Sequence, residues 1–341
     1  MNLGISQDIL PLTQRYFHSE DMGYDYSRGT YLIVLADASL ESILEDENTG
    51  NFIHFKKTQG YNVELITLAE VGGTAENLRL YLQYYYESDP MLEYVLLVGD
   101  INGSYALPSF TIPSYNESDL DVTDYPYSFF DNADILNPSF FIGRWSIRSQ
   151  DDLKKIKMRS MQYIKMEYIS DHSFLNNALL VAGNYADSGT WPVTPVWTSK
   201  WLMDELRHFG YNKIDTAFYH LANQQVNNPI ISSAWNNGVG IINYRGWGDA
   251  NGWHFPYFHR ENIDPGLQNG FRLPVVFSFV CNTGDFGNDY SGSGLSKCFG
   301  EVMVTAGSVI NPKGAAAMVG PSDLDTDTRF NNVICGAMWD A

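Results

Sequence analysis

Two stretches of the sequence carry side chains that could take part in covalent chemistry, and the first ends on a thiol. In LPVVFSFVCNTGDFG an apolar run ends at Cys281 and continues in polar and glycine residues. Open α/β sheets place their reactive groups at the carboxyl ends of the strands, where backbone N–H groups favour the nucleophilic thiolate. We therefore interpret Cys281 as a candidate nucleophile. The alternative is that it ends a buried strand as a small apolar side chain.

The second stretch is IINYRGWGDANGWHFP, residues 241–256, which is typical of a buried strand that opens into a glycine-rich loop. Its central side chain, Trp247, cannot accept a proton from a thiol. His254 lies in the same loop, next to Trp253. A loop of this length could return His254 to Cys281, first as a general base and then as the acid that protonates a leaving amine. The alternative is that His254 only packs or hydrogen-bonds within the loop.

Backbone N–H groups would complete such a site without any particular side chain. Those of Gly248 and Cys281 would bind an oxyanion if the two strand ends are neighbours. His259, slightly farther along in FPYFHREN, is typical of a surface residue. The spacing of the cysteines and histidines does not indicate a metal site, and this chemistry requires no cofactor.

Alternating strands and helices would position these residues. The first half contains the apolar segments TYLIVLAD, GYNVELITL and EYVLLVGD with a helix over residues 74–87. The second half contains NALLVAGN, YNKIDTAFY and VGIINYRG with a helix over residues 196–209. This pattern predicts an α/β fold of mostly parallel sheets flanked by helices. The GYN segment occurs again in the second half, and so does a strand similar to the first one. Both repeats follow their counterparts by nearly the same number of residues, which indicates two related subdomains, residues 1–172 and 173–341.

Taken together, the quoted stretches resemble the gingipain family of cysteine peptidases. INYRG-G followed by FSFVCNTGDF is similar to the family's glycine loop and strand end. Further segments agree in the same order: YLIVLAD, VELITLAEVGG, EYVLLVGD, DYPYSFFDNADILNPSFFIGRWSIRSQDDL and CFGEVMVTAG. The resemblance implies a caspase-like fold in two subdomains, the second bearing the active site. It also implies a secreted or cell-surface protein, with a leader before this segment and further domains in a longer chain.

Carried over residue by residue, the resemblance assigns the nucleophile to Cys281 and the catalytic histidine to the position of Trp247. A carboxylate that assists the histidine in some members would fall near Asn184, with Asp187 close by. We expect Trp247, Trp253, Asn184 and Asp187 to line the site. Trp247 and Asn184 both depart from the family's pattern.

Net charge limits the partners of the chain. Its 341 residues carry a formal net charge of −19, which argues against nucleic acid and anionic membrane surfaces. Cations, calcium especially, are the natural small partners, and the resemblance implies calcium binding as well. Two acidic clusters could hold structural calcium, although both also fit solvated loops: Asp119, Asp121 and Asp124, and Asp323, Asp325 and Asp327.

Three functions stay open at this point. The first is a cysteine endopeptidase that hydrolyses polypeptides through a Cys281 thioester, with His254 as the substitute base. The second is a pseudopeptidase, a binding or scaffold domain of a secreted protein that has lost turnover. The third is a glycan- or surface-binding module that uses the aromatic loops.

Overall fold

The computed structural model describes residues 28–115, 118, 120–131, 135–183, 194–219, 228–287 and 296–340. Contacts divide the chain into two units. One contains Met1–Pro108 and Asp124–Arg148, and the other contains Ser109–Thr123 and Ser149–Ala341. This division differs from the boundary predicted after residue 172, which stays a prediction.

Strands and helices alternate along most of the described chain. The strands are β1 (Thr30–Leu35), β2 (Asn62–Thr67), β3 (Leu92–Val98), β4 (Phe110–Pro113), β5 (Leu120–Thr123), β6 (Phe141–Trp145), β7 (Asn177–Ala182), β8 (Lys213–Phe218), β9 (Ile241–Arg245), β10 (Gly248–Asp249), β11 (Gly252–Trp253), β12 (Phe258–His259), β13 (Val275–Phe279) and β14 (Ala317–Val319). The helices are α1 (Glu41–Leu44), α2 (Phe52–Thr58), α3 (Ala75–Ser88), α4 (Gln150–Lys165), α5 (Thr194–His208), α6 (Asn228–Asn237), α7 (Arg260–Gly266), α8 (Phe299–Thr305) and α9 (Thr328–Asp340).

Each unit has a parallel sheet, and the two sheets repeat one strand order. The first sheet runs β2-β1-β3-β6, and the second runs β14-β13-β9-β7-β8. In both sheets the second strand along the chain is an edge strand that pairs with the first, and the third lies on the other side of the first. The predicted α/β fold with mostly parallel sheets is thereby confirmed, and the shared order agrees with the repeat in the sequence.

Helices cover both faces of the second sheet. Successive side chains of a strand point to opposite faces, so neighbouring residues of β7 pack against different helices. Leu179 of β7 belongs to the same buried cluster as Trp235 of α6. The next residue, Leu180, belongs to a different buried cluster with Leu202 and Leu206 of α5. A strand apolar on both faces therefore has a helix on each side, as its continuous run of apolar residues predicts.

A buried cation on helix α4 connects this helix to the rest of the second unit. Arg159 is fully buried, and its guanidinium donates to the carbonyls of Met303, Ala306, Lys313 and Ala315. The carbonyl of Met303 lies in the last turn of α8, and that of Ala306 lies directly after it. No N–H group of the same helix is left to donate to either one. The guanidinium thereby fixes α4 to α8.

Candidate active site

The two chemically interesting strand ends are neighbours. Strands β9 and β13 pair in parallel, with Arg245 opposite Phe279. Trp247 and Cys281 both follow shortly after this aligned pair, so both leave the same edge of the sheet. This agrees with the position expected for Cys281.

Gly248 packs closely against the residue that precedes the candidate nucleophile. A Cβ atom added to Gly248 would lie 2.5 Å from the carbonyl oxygen of Gly252 and 3.3 Å from Cγ1 of Val280. Only a residue without a side chain allows this approach. The glycine loop is thereby held against the end of β13.

A buried guanidinium fixes the ends of both strands. Arg245 is fully buried and donates through one Nη to the carbonyl of Phe279, at 2.6 Å. Its other Nη contacts the carbonyl of Thr328 and the side-chain oxygen of Asn332, at the start of α9. Arg245 therefore holds β9, β13 and α9 in fixed positions around Cys281.

Trp253 anchors the loop from inside the protein. It is fully buried, stacks on Tyr244 with 4.5 Å between ring centroids, and donates its indole N–H to Ser278 Oγ at 2.9 Å. We expected Trp253 to line the site, but its indole N–H has a buried partner and the ring packs in the core instead. Trp247, by contrast, is 42% exposed.

His254 has partners for both ring nitrogens. Nδ1 lies 2.8 Å from Nε2 of His259, and Nε2 lies 3.3 Å from Oδ2 of Asp249. Its ring packs edge-on against Trp247, with 4.8 Å between centroids. Within the described residues no hydrogen bond joins His254 to Cys281. The short sheet β10-β11-β12 explains these partners, because it pairs Asp249 and His259 with the residue two positions before His254.

The two imidazoles and the carboxylate form an electrostatically coupled group. Burial lowers the pKa of His259, and the neighbouring His254 lowers it further. Burial would raise the pKa of Asp249, but hydrogen bonds from His254 and from the N–H of Asn251 outweigh it, and the pKa is lowered. A short bond between two imidazole nitrogens requires one to donate and the other to accept, so the pair is stable only while at least one ring is neutral.

Cys281 is a free, partly buried thiol. Its sulfur lies 3.3 Å from the hydroxyl oxygen of Thr326. Burial raises the pKa of Cys281, the hydrogen bond from Thr326 works in the opposite direction, and the charge of Asp323 adds to the rise. The thiol is therefore mostly protonated near neutral pH in this arrangement.

The backbone turns sharply after the thiol. Asn282 adopts a left-handed conformation with φ 49°, and its N–H donates to the carbonyl of Asp323 at 2.9 Å. No other residue in the described part of the chain accepts a hydrogen bond from the N–H of Cys281. The N–H of Cys281 instead favours the charged form of its own sulfur.

The acidic residues proposed for calcium already have other partners. Asp124 makes a bidentate pair with Arg144, at 2.7 Å for each oxygen. The carboxylate of Asp323 accepts from the N–H groups of Tyr115 and Asp325. Asp327 pairs with Arg329 at 3.3 Å.

The described residues show no group of acidic side chains arranged around one metal position. No three His, Cys, Asp or Glu side chains are grouped to hold a metal ion in the described ranges. Asp119 lies outside the described residues. Calcium binding stays a prediction. Asn184 and Asp187, expected to line the site, also lie outside the described residues.

A sequence model of peptidase family C25 matches residues 25–341. The chain belongs to this family. Gingipain R2 of Porphyromonas gingivalis is 26% identical to it in an alignment 318 residues long that covers 89% of this chain and 39% of that protein. Gingipain R1 of the same species is 25% identical over 89% of this chain and 29% of its own length. This C25 chain therefore spans well under half of the curated relatives it matches.

Solved structures of family relatives share the fold. The crystal structure of the Arg-specific cysteine proteinase gingipain R (RGPB) superimposes with a TM-score of 0.74 at 24% identity, over 92% of this chain and 68% of that one. The complex of Porphyromonas gingivalis RgpB pro- and mature domains gives a TM-score of 0.70, over 89% and 68% of the two chains. The caspase-like fold expected from the sequence is confirmed. None of the helices in the described part of this C25 chain is long and apolar enough to cross a membrane.

Sequence reasoning missed Asp249, which contacts His254, and Thr326, which contacts Cys281. His259, interpreted as a surface residue, has a side chain that is only 12% exposed and contacts His254. Asp249 follows Trp247 closely enough to have been a candidate. Thr326 lies within SDLDTDT, whose acidic residues drew attention to cation binding instead.

Proposed function

We propose that this C25 chain is a cysteine endopeptidase domain in which Cys281 attacks peptide carbonyls and His254 supplies the imidazole. The observation that carries the proposal is the contact between His254 and Trp247. Trp247 occupies the family's histidine position and leaves the sheet edge beside Cys281. An imidazole is therefore present one aromatic ring away from where the family's chemistry requires it.

Catalysis from this arrangement requires two local movements. Trp247 is sufficiently exposed to rotate into solvent. Nε2 of His254 must leave Asp249, a contact of 3.3 Å, while Nδ1 keeps its shorter bond to His259. Nε2 also gives up the hydrogen that it donates to Asp249. Nδ1–H then donates to Nε2 of His259, which holds the ring in the tautomer whose Nε2 accepts a proton, the role of an orienting partner.

The reaction then follows from the groups that face the thiol. Nε2 of His254 takes the proton of Cys281, and the thiolate forms a bond to the carbonyl carbon of the substrate. The N–H groups of Cys281 and Gly248 bind the resulting oxyanion. The imidazolium gives its proton to the leaving amine as the C–N bond breaks, which leaves a thioester. Water, deprotonated by His254, hydrolyses the thioester and restores the thiol.

A second candidate is a pseudopeptidase that binds polypeptide or acts as a scaffold without turnover. The raised pKa of Cys281 and the engagement of both nitrogens of His254 favour it. Under either candidate, we propose a polypeptide partner and a secreted or cell-surface location within a longer protein. The greater length of the relatives supports this context.

Peptide hydrolysis separates the two candidates. The wild-type chain and a Cys281→Ala variant would each be incubated with a peptide mixture in which every type of amino acid precedes some peptide bond. New termini would be identified by mass spectrometry. The peptidase gives cleavages that disappear in the variant. Peptide binding without any Cys281-dependent cleavage would favour the pseudopeptidase.

A further inference from the structure

Within the described residues, the side chain that makes a hydrogen bond to the candidate nucleophile is Thr326, through its hydroxyl group. Its oxygen lies 3.3 Å from Cys281 Sγ, and the carbonyl oxygen of Thr326 lies 4.0 Å from the same sulfur. No other side chain in the described part of the chain makes a hydrogen bond to this sulfur. Among the described residues, the hydrogen bonds that can stabilise the thiolate therefore come from Thr326 or the backbone.

A second side chain determines which way the hydroxyl group points. Nδ2 of Asn331 donates to Thr326 Oγ1 at 2.9 Å, and Asn331 is almost fully buried on α9. An amide nitrogen can only donate, so this bond uses a lone pair of the hydroxyl oxygen and leaves its hydrogen free. The hydrogen can then point to the sulfur.

We infer that Thr326 is a positioning residue that donates its hydroxyl hydrogen to Cys281 and stabilises the thiolate, while Asn331 holds the hydroxyl in that orientation. The inference rests on the proposed function only in taking Cys281 as the nucleophile. Trp247 at the family's histidine position cannot supply an imidazolium to the thiolate. Within the described residues, the side chain that can donate to the sulfur is the neutral hydroxyl of Thr326.

The surroundings make this hydrogen bond more important. Burial and the carboxylate of Asp323 both disfavour a negative charge on the sulfur. Two backbone N–H groups fix the Asp323 carboxylate, so it cannot turn away easily. Helix α9, which carries Asn331, is held at its start by Arg245 through Asn332. The donor is therefore attached to a rigid part of the site.

Alkylation of Cys281 tests the inference without any peptide substrate. The rate of modification by iodoacetamide would be measured against pH, with Cys281 resolved from the other cysteines by mass spectrometry. Thr326→Val has nearly the same shape and lacks the donor. We expect it to raise the apparent pKa by about one unit and to slow modification near pH 7 by about tenfold. Thr326→Ser, which keeps the hydroxyl, should stay close to wild type.

Matched variants separate the hydroxyl from other effects. Thr328→Val is the control, because the side chain of Thr328 makes no hydrogen bond within the described residues, and it should not change the profile. Thr326→Ala is a second variant without the donor and should shift the profile as Thr326→Val does; circular dichroism would confirm that each variant is folded. An unchanged profile in folded Thr326→Val, or equal shifts in the Ser and Val variants, would overturn the inference. Either result is independent of whether the chain hydrolyses peptides.

Discussion

Nδ1 of His254 lies 2.8 Å from Nε2 of His259, while within the described residues no hydrogen bond joins His254 to Cys281. The bond to His259 would orient His254 for catalysis once Nε2 is released from Asp249. It persists only while one of the two rings is neutral, so it links the candidate base to pH.

The partly buried pair of His254 and His259 should make the stability of the second unit depend on pH. The folded pKa of His259 is below its ordinary value of 6.5, so the folded protein binds fewer protons than the unfolded chain just below that pH. Stability is then complete above about pH 6.5 and falls as the pH decreases towards the lowered pKa. Calorimetric midpoints from pH 8 to 5 should show this decline in wild type.

A His259→Gln variant provides the comparison, since glutamine does not titrate. The decline between pH 6.5 and 5 should be smaller in the variant. Parallel curves for the two proteins would mean that His259 does not carry this dependence. The lowered pKa of Asp249 affects stability in a separate pH window. Its contribution is present above the ordinary value of 3.8 and is lost as the pH falls below it.

Cys281 should be the first of the three cysteines to react. Cys298 and Cys335 are buried; burial raises the pKa of Cys298 well above its ordinary value and that of Cys335 to about 11. Cys281 is partly exposed at the sheet edge. Limited alkylation of the folded protein, followed by peptide mapping, measures the order. Faster labelling of Cys298 or Cys335 would remove Cys281 as the candidate nucleophile.

Arg159→Met should destabilise the second unit strongly. The change removes the guanidinium from four carbonyls, and those of Lys313 and Ala315 lose the donor described for them, while Met303 and Ala306 keep a backbone N–H. We expect a cost of about 2–5 kcal/mol. Urea unfolding measures it, with Arg207→Met as the control, because Arg207 forms an exposed pair with Asp204. A loss no larger than that of the control would mean that Arg159 does not hold α4 to α8.

Placing a histidine at position 247 should restore the family's arrangement. In a His254→Ala background, Trp247→His should recover part of the lost peptide hydrolysis, because residue 247 and Cys281 leave neighbouring strands at the same edge. Initial rates on one cleaved peptide measure the recovery. If the double variant is as slow as His254→Ala alone, residue 247 does not reach the thiol.

The sequence predicts the parts of this site that depend on strand order. Continuous apolar strands indicate parallel sheets. Because the carboxyl ends of neighbouring parallel strands lie at the same edge, the loop of Trp247 is expected at the edge that carries Cys281, and the pairing of β9 with β13 agrees. The contacts that fix α4 to α8 could not be predicted in the same way, because they come from Arg159, a buried cation on an otherwise amphipathic helix.

Side-chain partners within the loop could not be read from the sequence. The neighbours of His254 depend on the register of three two-residue strands, too short to give a periodic pattern. The burial of Trp253 depends on Ser278, which lies on a different strand. Thr326 meets Cys281 only because the segment before α9 returns to the end of β13. All three contacts are long-range or register-dependent, and no local propensity encodes them.

The central claim is that His254 acts as the base for Cys281, and the most direct measurement is the rate of peptide hydrolysis by His254→Ala. We expect kcat/KM to fall by about 10²-fold or more relative to wild type. His54→Ala is the control, since His54 is an exposed histidine of the first unit, and it should leave the rate unchanged. A His254→Ala variant as active as wild type, or a folded wild-type protein that cleaves no peptide, would contradict the account.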